Sequence, residues 1–140
     1  MLLQDLQKAN IEAMKARDAN KRGILSVVIT KAKLLEVELR SKGQELTDAQ
    51  VLEIIQKVIK ELSDEKEGYL KNNNLERAKL IDEQAEVIKA YLPKQLTEEE
   101  ILNEINKLED KSIPSIMKHF KTNFAGKVDM SLVNRLARGL

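Results

Sequence analysis

The one histidine in the chain, His119, is the only side chain whose ordinary pKa lets it exchange a proton near neutral pH. It stands between Lys118 and Phe120, one step off the apolar positions of its segment. To act as a general base it needs a nucleophile in reach and a partner that orients the ring. No local motif supplies either, so the spacing predicts a half-exposed surface histidine. Carboxylates at Asp64 and Glu67 and the run Glu98–Glu100 have the residue types of acid–base pairs or magnesium ligands. Their positions match a solvated helix face and a first helical turn, where negative charge complements the helix dipole. Met14, Met117 and Met130 read as core fillers. One His and no Cys exclude a conventional zinc site. Nucleophile elbows, phosphate-binding loops and dinucleotide fingerprints do not occur. No catalytic residue, metal ligand or cofactor site is expected.

Chemistry of another kind sits at the C-terminal end. Residues 1–93 carry 16 basic and 16 acidic side chains. Residues 111–140 carry six basic ones (Lys111, Lys118, Lys121, Lys127, Arg135, Arg138) against Asp129 alone. A charge shift of this kind points to an anionic partner for that end. Lys118 and Lys121 lie three apart and share a helix face with Lys111 just upstream. Ser131, Arg135 and Arg138 share a face of the last helix, opposite Leu132 and Leu136. Lysine and arginine suit phosphate contact, and such a cluster predicts salt-dependent binding. Aromatics for base stacking are scarce, because Phe120 and Phe124 read as core, so backbone and shape recognition of a structured RNA fits best.

The elements that must position these residues are helices. Leu, Ile, Lys, Glu and Ala dominate, and the chain has five glycines and two prolines in 140 residues. Straight-chain residues lose little rotamer freedom in a helix. Leu2, Leu6, Ala9 and Ala13 mark a first helix, and Asp18–Gly23 a break, with the next helix beginning near Gly23. That second helix uses Leu25, Val28, Ala32, Leu35 and Leu39, with Ile24, Val27 and Leu34 widening its apolar stripe. Gly43 reads as its left-handed cap. Thr47 and Gln50 form a capping box for a helix carrying Val51, Ile55, Val58, Leu62 and Tyr69. After the turn Asn72–Asn74, a fourth helix carries Leu75, Ala78, Ile81, Ala85, Ile88 and Leu92, and Pro93 stops it. Thr97 and Glu100 form a second capping box for a helix with Ile101, Leu102, Ile105 and Leu108. Ser112 is placed as the cap of a helix with Ile113, Ile116, Met117 and Phe120. Gly126 marks a turn, and Asp129 caps a last helix whose Leu132, Val133, Leu136 and Leu140 face inward. The expectation is an all-α protein: a helical domain of about four helices over 1–93, then a small three-helix domain over 97–140. No run approaches the roughly 20 apolar residues of a membrane span. The first residues lack the apolar core of a signal peptide, and the lack of cysteine fits the reducing cytoplasm.

Two motifs carry a family resemblance. Tyr91-Leu92-Pro93-Lys94-Gln95-Leu96-Thr97-Glu98-Glu99-Glu100 resembles the junction of the GatB/YqeY family of small bacterial proteins. Gly126-Lys127-Val128-Asp129, followed by Leu132-Val133-Asn134, resembles that family's closing motif. The order and sizes of the helices match along the whole chain. The resemblance implies a helical domain followed by a three-helix domain. It also implies kinship with the C-terminal tail of the B subunit of the glutamine-dependent tRNA amidotransferase, where the tail helps hold tRNA and other domains do the chemistry. By resemblance Lys127, Asn134 and Arg135 fall in the motif, with Lys118, Lys121 and Arg138 flanking it. The chain departs from the family pattern at Ala125, where a basic residue is usual, at Met130, where Gly is frequent, and at Pro114 and Lys118, which replace glycines. The expected function is a non-catalytic RNA-binding module for a structured RNA such as tRNA. The alternatives are an accessory component of a carbon–nitrogen ligase with glutamine as amido donor, and a helical protein–protein adaptor.

Overall fold

The computed structural model describes residues 1–139, and every element among them is a helix: α1 (Leu2–Lys15), α2 (Ala19–Ser41), α3 (Asp48–Lys71), α4 (Leu75–Lys89), α5 (Glu98–Asn106), α6 (Ile113–Asn123) and α7 (Met130–Arg138). The helices gather into two compact units, Met1–Tyr91 and Leu92–Leu140.

The first unit is two helical hairpins built on the same elbow. At the end of α1 the Asp18 N–H reaches the Ala13 carbonyl (3.0 Å) and the Arg17 N–H reaches Met14 (3.1 Å). These are the two bonds of a Schellman turn, which satisfies the last carbonyls of a helix with one left-handed residue. That residue is Arg17, at φ 57°. Asp18 then starts α2 by accepting the Lys21 N–H at 3.1 Å. At the end of α3 the same pair of bonds runs from Asn74 to Tyr69 and from Asn73 to Leu70. Asn73 is left-handed (φ 57°), and Asn74 caps α4 through the Arg77 N–H. In both elbows one side chain closes a helix and opens the next, so the paired helices fold back on each other.

The break therefore ends at Asp18, not at Gly23. Asp18 satisfies a first-turn donor, and burial of Ile24 and Leu25 outweighs the cost of a glycine within the helix. α2 packs against α1, α3 and α4. Its buried residues are Ile24, Leu25, Val28, Ile29, Ala32 and Leu39. Val27 and Leu34 do not widen this stripe. They lie on the far side of the helix, with Leu34 67% exposed. Leu75 is likewise exposed, because the first turn of α4 sits at the hairpin tip. α4 ends at Lys89, a few residues ahead of Pro93. Asn20 at the start of α2 donates to the Leu80 carbonyl (3.0 Å) and accepts from Gln84 (3.2 Å), and Lys66 pairs with Asp82 at 2.8 Å between α3 and α4. Gly43 closes α2 at φ 72°, and the Thr47–Gln50 capping box is complete.

The second unit wraps α5 and α6 against α7. Its core is Ile101, Ile105, Ile116, Phe120, Val128, Val133 and Ala137. The Thr97–Glu100 capping box starts α5. The residues before it are tied to the α6–α7 turn: the Leu96 N–H donates to the Lys127 carbonyl (2.8 Å), and the Gln95 amide donates to the Gly126 carbonyl (2.7 Å). Gly126 is buried at φ 77°, a conformation that costs any residue with a Cβ about 1 kcal/mol or more. Ser112 occupies the N-cap of α6, but its hydroxyl makes no capping bond. Asp110 does this work, accepting the Ser112 N–H (3.0 Å) and the Ser115 hydroxyl (2.7 Å). Asp129 caps α7 through the Ser131 N–H. The inward face of α7 is centred on Val133 and Ala137, with Leu132 and Leu136 half-buried beside them. Leu140 lies outside the described residues.

Candidate nucleic-acid interface

Of the expected contact residues, Lys118, Lys121, Lys127, Arg135 and Arg138 are exposed and Asn134 is half-buried. α6 brings Lys118 and Lys121 to solvent because Ile116 and Phe120 take the opposite side into the core. α7 does the same for Arg135 and Arg138 through Val133 and Ala137. Lys127 sits in the turn between them. Its N–H and carbonyl are both used, by Phe124 and Leu96, so its place is held by the backbone while its ammonium stays free of the fold.

The six residues are not equally available. Arg138 Nε donates to Asn134 Oδ1 at 2.7 Å, which turns the two into one polar unit on the last two turns of α7. Arg135 is paired with Glu98 at the start of α5 (3.4 Å), although both side chains are well exposed, so the pair is worth less than about 1 kcal/mol and yields to a competing phosphate. Lys118, Lys121 and Lys127 make no ion pair among the described residues. The compensating carboxylates of this unit lie mostly before residue 111, with Glu98, Glu99 and Glu100 in the first turn of α5. Sequence reasoning found the cations. It did not find the Arg135–Glu98 contact, which joins residues 37 positions apart.

It also missed the surroundings of His119. The ring is half-buried, with Nε2 3.4 Å from Glu104 Oε1 on α5 and Nδ1 3.2 Å from the Asn123 amide nitrogen. The Asn123 amide is placed to donate to Nδ1, an arrangement that suits a ring protonated at Nε2 facing Glu104. Both ring nitrogens are engaged, and the Ser115 hydroxyl one turn away is committed to Asp110. The ring also lies edge-on to Phe120, 5.4 Å between centroids. This network ties α5 to α6.

Among the described residues three groups titrate away from their ordinary range. Partial desolvation acts to raise the Glu104 carboxyl, but hydrogen bonds from Lys107 and His119, with their charges, outweigh it and hold the group low. Asp110 is lowered by the Ser115 hydroxyl and the Ser112 N–H. Tyr91 is raised, first by burial and then by the carboxylates of Asp5 and Glu12. For the two lowered carboxyls the contribution to stability is complete above the ordinary carboxylate range and is lost as pH falls through their folded values. The second unit should therefore lose thermal stability as pH drops below about 4, and Glu104→Gln should flatten that fall. Melting curves from pH 7 to pH 3 check this; a variant as acid-sensitive as the parent removes Glu104 from the account.

No helix among the described residues is long and apolar enough to cross a membrane, and no group of acidic, His or Cys side chains is placed to hold a metal ion. What the fold and the surface define is an all-helical protein of two compact units, the second a small three-helix body bearing exposed cations over a closed apolar core. The model of the family described as Yqey-like protein matches residues 3–140, so the chain belongs to the YqeY-like protein family. No curated protein matches it.

Proposed function

We propose that this chain is a non-catalytic RNA-binding module of the cytoplasm that grips a structured RNA, a tRNA, by its phosphates. In this reading residues 97–140 act as the tail domain, and residues 1–93 as a helical domain attached to it. The observation that carries the reading is the set of cations on α6, the following turn and α7, all exposed over a shared core, with Lys118, Lys121 and Lys127 unpaired. The resemblance of the junction and closing motifs to a tRNA-holding tail supports the choice of RNA, and the scarcity of exposed aromatics supports phosphate contact over base reading.

The test is binding of total tRNA to the purified protein across a salt series. Saturable binding that weakens steeply with salt is expected. Lys118→Ala with Lys121→Ala, and separately Arg135→Ala with Arg138→Ala, should weaken binding and reduce the slope of log affinity against log salt by roughly one per phosphate contact removed. The lysine pair should have the larger effect, because Arg135 and Arg138 give up existing partners to reach RNA. A parent that fails to bind at low salt, or variants that bind as the parent does, would overturn the reading.

A further inference from the structure

The elbow between α1 and α2 holds an open hollow of about 590 Å³. Small-ligand sites span roughly 300–1,000 Å³. Buried Ala13 and half-exposed Met14 give it an apolar side, and Arg17, Asp18, Arg22 and Ser26 line it with polar groups. Neither guanidinium has an ion-pair or hydrogen-bond partner among the described residues. The Asp18 carboxylate is engaged in capping α2 through the Lys21 N–H. From Lys15 to Arg22 the chain carries four cations against that one carboxylate, within a unit whose charges balance only when this segment is counted. The position of Arg17 adds to this. The α3 elbow places Asn73 at the same left-handed position, and α2 ends on Gly43 there. These are residues that tolerate positive φ, whereas an arginine is held there at a cost.

We propose that this hollow binds a nucleotide unit. The phosphate sits between Arg17 and Arg22, whose planar forks match phosphate oxygens, with the Ser26 hydroxyl as a further donor. The sugar or base lies over Ala13 and Met14, the thioether adapting to the ring. A free nucleotide and a nucleotide within an RNA chain present the same chemistry. The site stands on its own residues and does not depend on the C-terminal surface.

The experiment uses the full chain and two probes, AMP and a ten-nucleotide oligouridylate, followed by amide chemical-shift changes and calorimetry. The variant is Arg17→Asn with Arg22→Gln. Asparagine keeps the left-handed elbow accessible, and an unchanged helical circular dichroism spectrum shows that the fold is intact. Shifts confined to residues 13–26 are expected, with affinity falling at least about tenfold in the variant, the loss of one or more charge-assisted hydrogen bonds. Ser26→Glu, which adds a negative charge to the lining, should abolish the same shifts. Binding of AMP assigns a free-nucleotide site. Binding of the oligonucleotide alone, lost in the variant, assigns a site for RNA. If neither probe shifts these residues, or the variants bind as the parent does, the proposal is wrong. Loss of tRNA binding in the α6 or α7 variants with the elbow unchanged bears only on the C-terminal surface.

Discussion

Phe120→Ala is expected to unfold the second unit. Phe120 is fully buried and is the largest side chain in a core that also contains Ile101, Ile105, Ile116 and Val133. Its ring touches Phe124 at 5.5 Å between centroids and His119 at 5.4 Å. Truncating a buried phenylalanine to alanine costs about 3–5 kcal/mol, because the lost transfer energy is joined by a cavity that short, stiff elements cannot close. A unit spanning only Leu92–Leu140 has little to lose, since a core of that size rarely supplies more than about 3–5 kcal/mol. Amide signals of α5, α6 and α7 should collapse to the narrow dispersion of an unfolded chain while those of α1 to α4 keep theirs. Phe120→Leu, which retains most of the volume, should leave the unit folded with a lower melting temperature. Retained dispersion in α5–α7 of the alanine variant would mean that the core repacks around Met117 and Phe124. The same variant should lose tRNA binding in the proposed reading, since the cations of α6 and α7 are held apart and outward by the residues that pack around this ring.

Leu25→Ala should be strongly damaging to the first unit. Leu25 has no exposed surface, and it lies on α2, which packs against α1, α3 and α4. The expected loss is about 2–5 kcal/mol, read as a lower urea midpoint of the helical signal for Met1–Tyr91 at an unchanged slope. Leu34→Ala is the contrasting change on the same helix. With 67% of its surface exposed it should shift stability by less than about 0.5 kcal/mol. If the two substitutions cost the same, the buried face of α2 has been assigned to the wrong side.

The two variants divide what local pattern carries from what only packing decides. Helix existence and order, the caps at Thr47, Thr97 and Asp129, and the left-handed Gly43 were legible in the amino-acid sequence, because each depends on residues within one or two turns of each other. So was the all-α class, which follows from residue propensity and apolar spacing summed over long segments. The cations of the C-terminal thirty residues were equally visible, because charge is a property of the residue and not of its neighbours.

The tertiary structure decided which side of a broad stripe is covered. Val27 and Leu34 are apolar at helical spacing, but α1, α3 and α4 approach α2 from the other side. It decided that Asp18 both follows α1 and starts α2, moving the helix start ahead of Gly23, because a Schellman turn and an N-cap share that residue. It joined Glu104 to His119 and Glu98 to Arg135, pairs that no sequence period relates. It also assembled the hollow at the elbow, where Arg17 and Arg22 line one surface because a left-handed backbone turns α1 back onto α2. Local energies along a chain set where helices begin and end; which faces meet depends on contacts between residues far apart in sequence, and those form only when the whole unit packs.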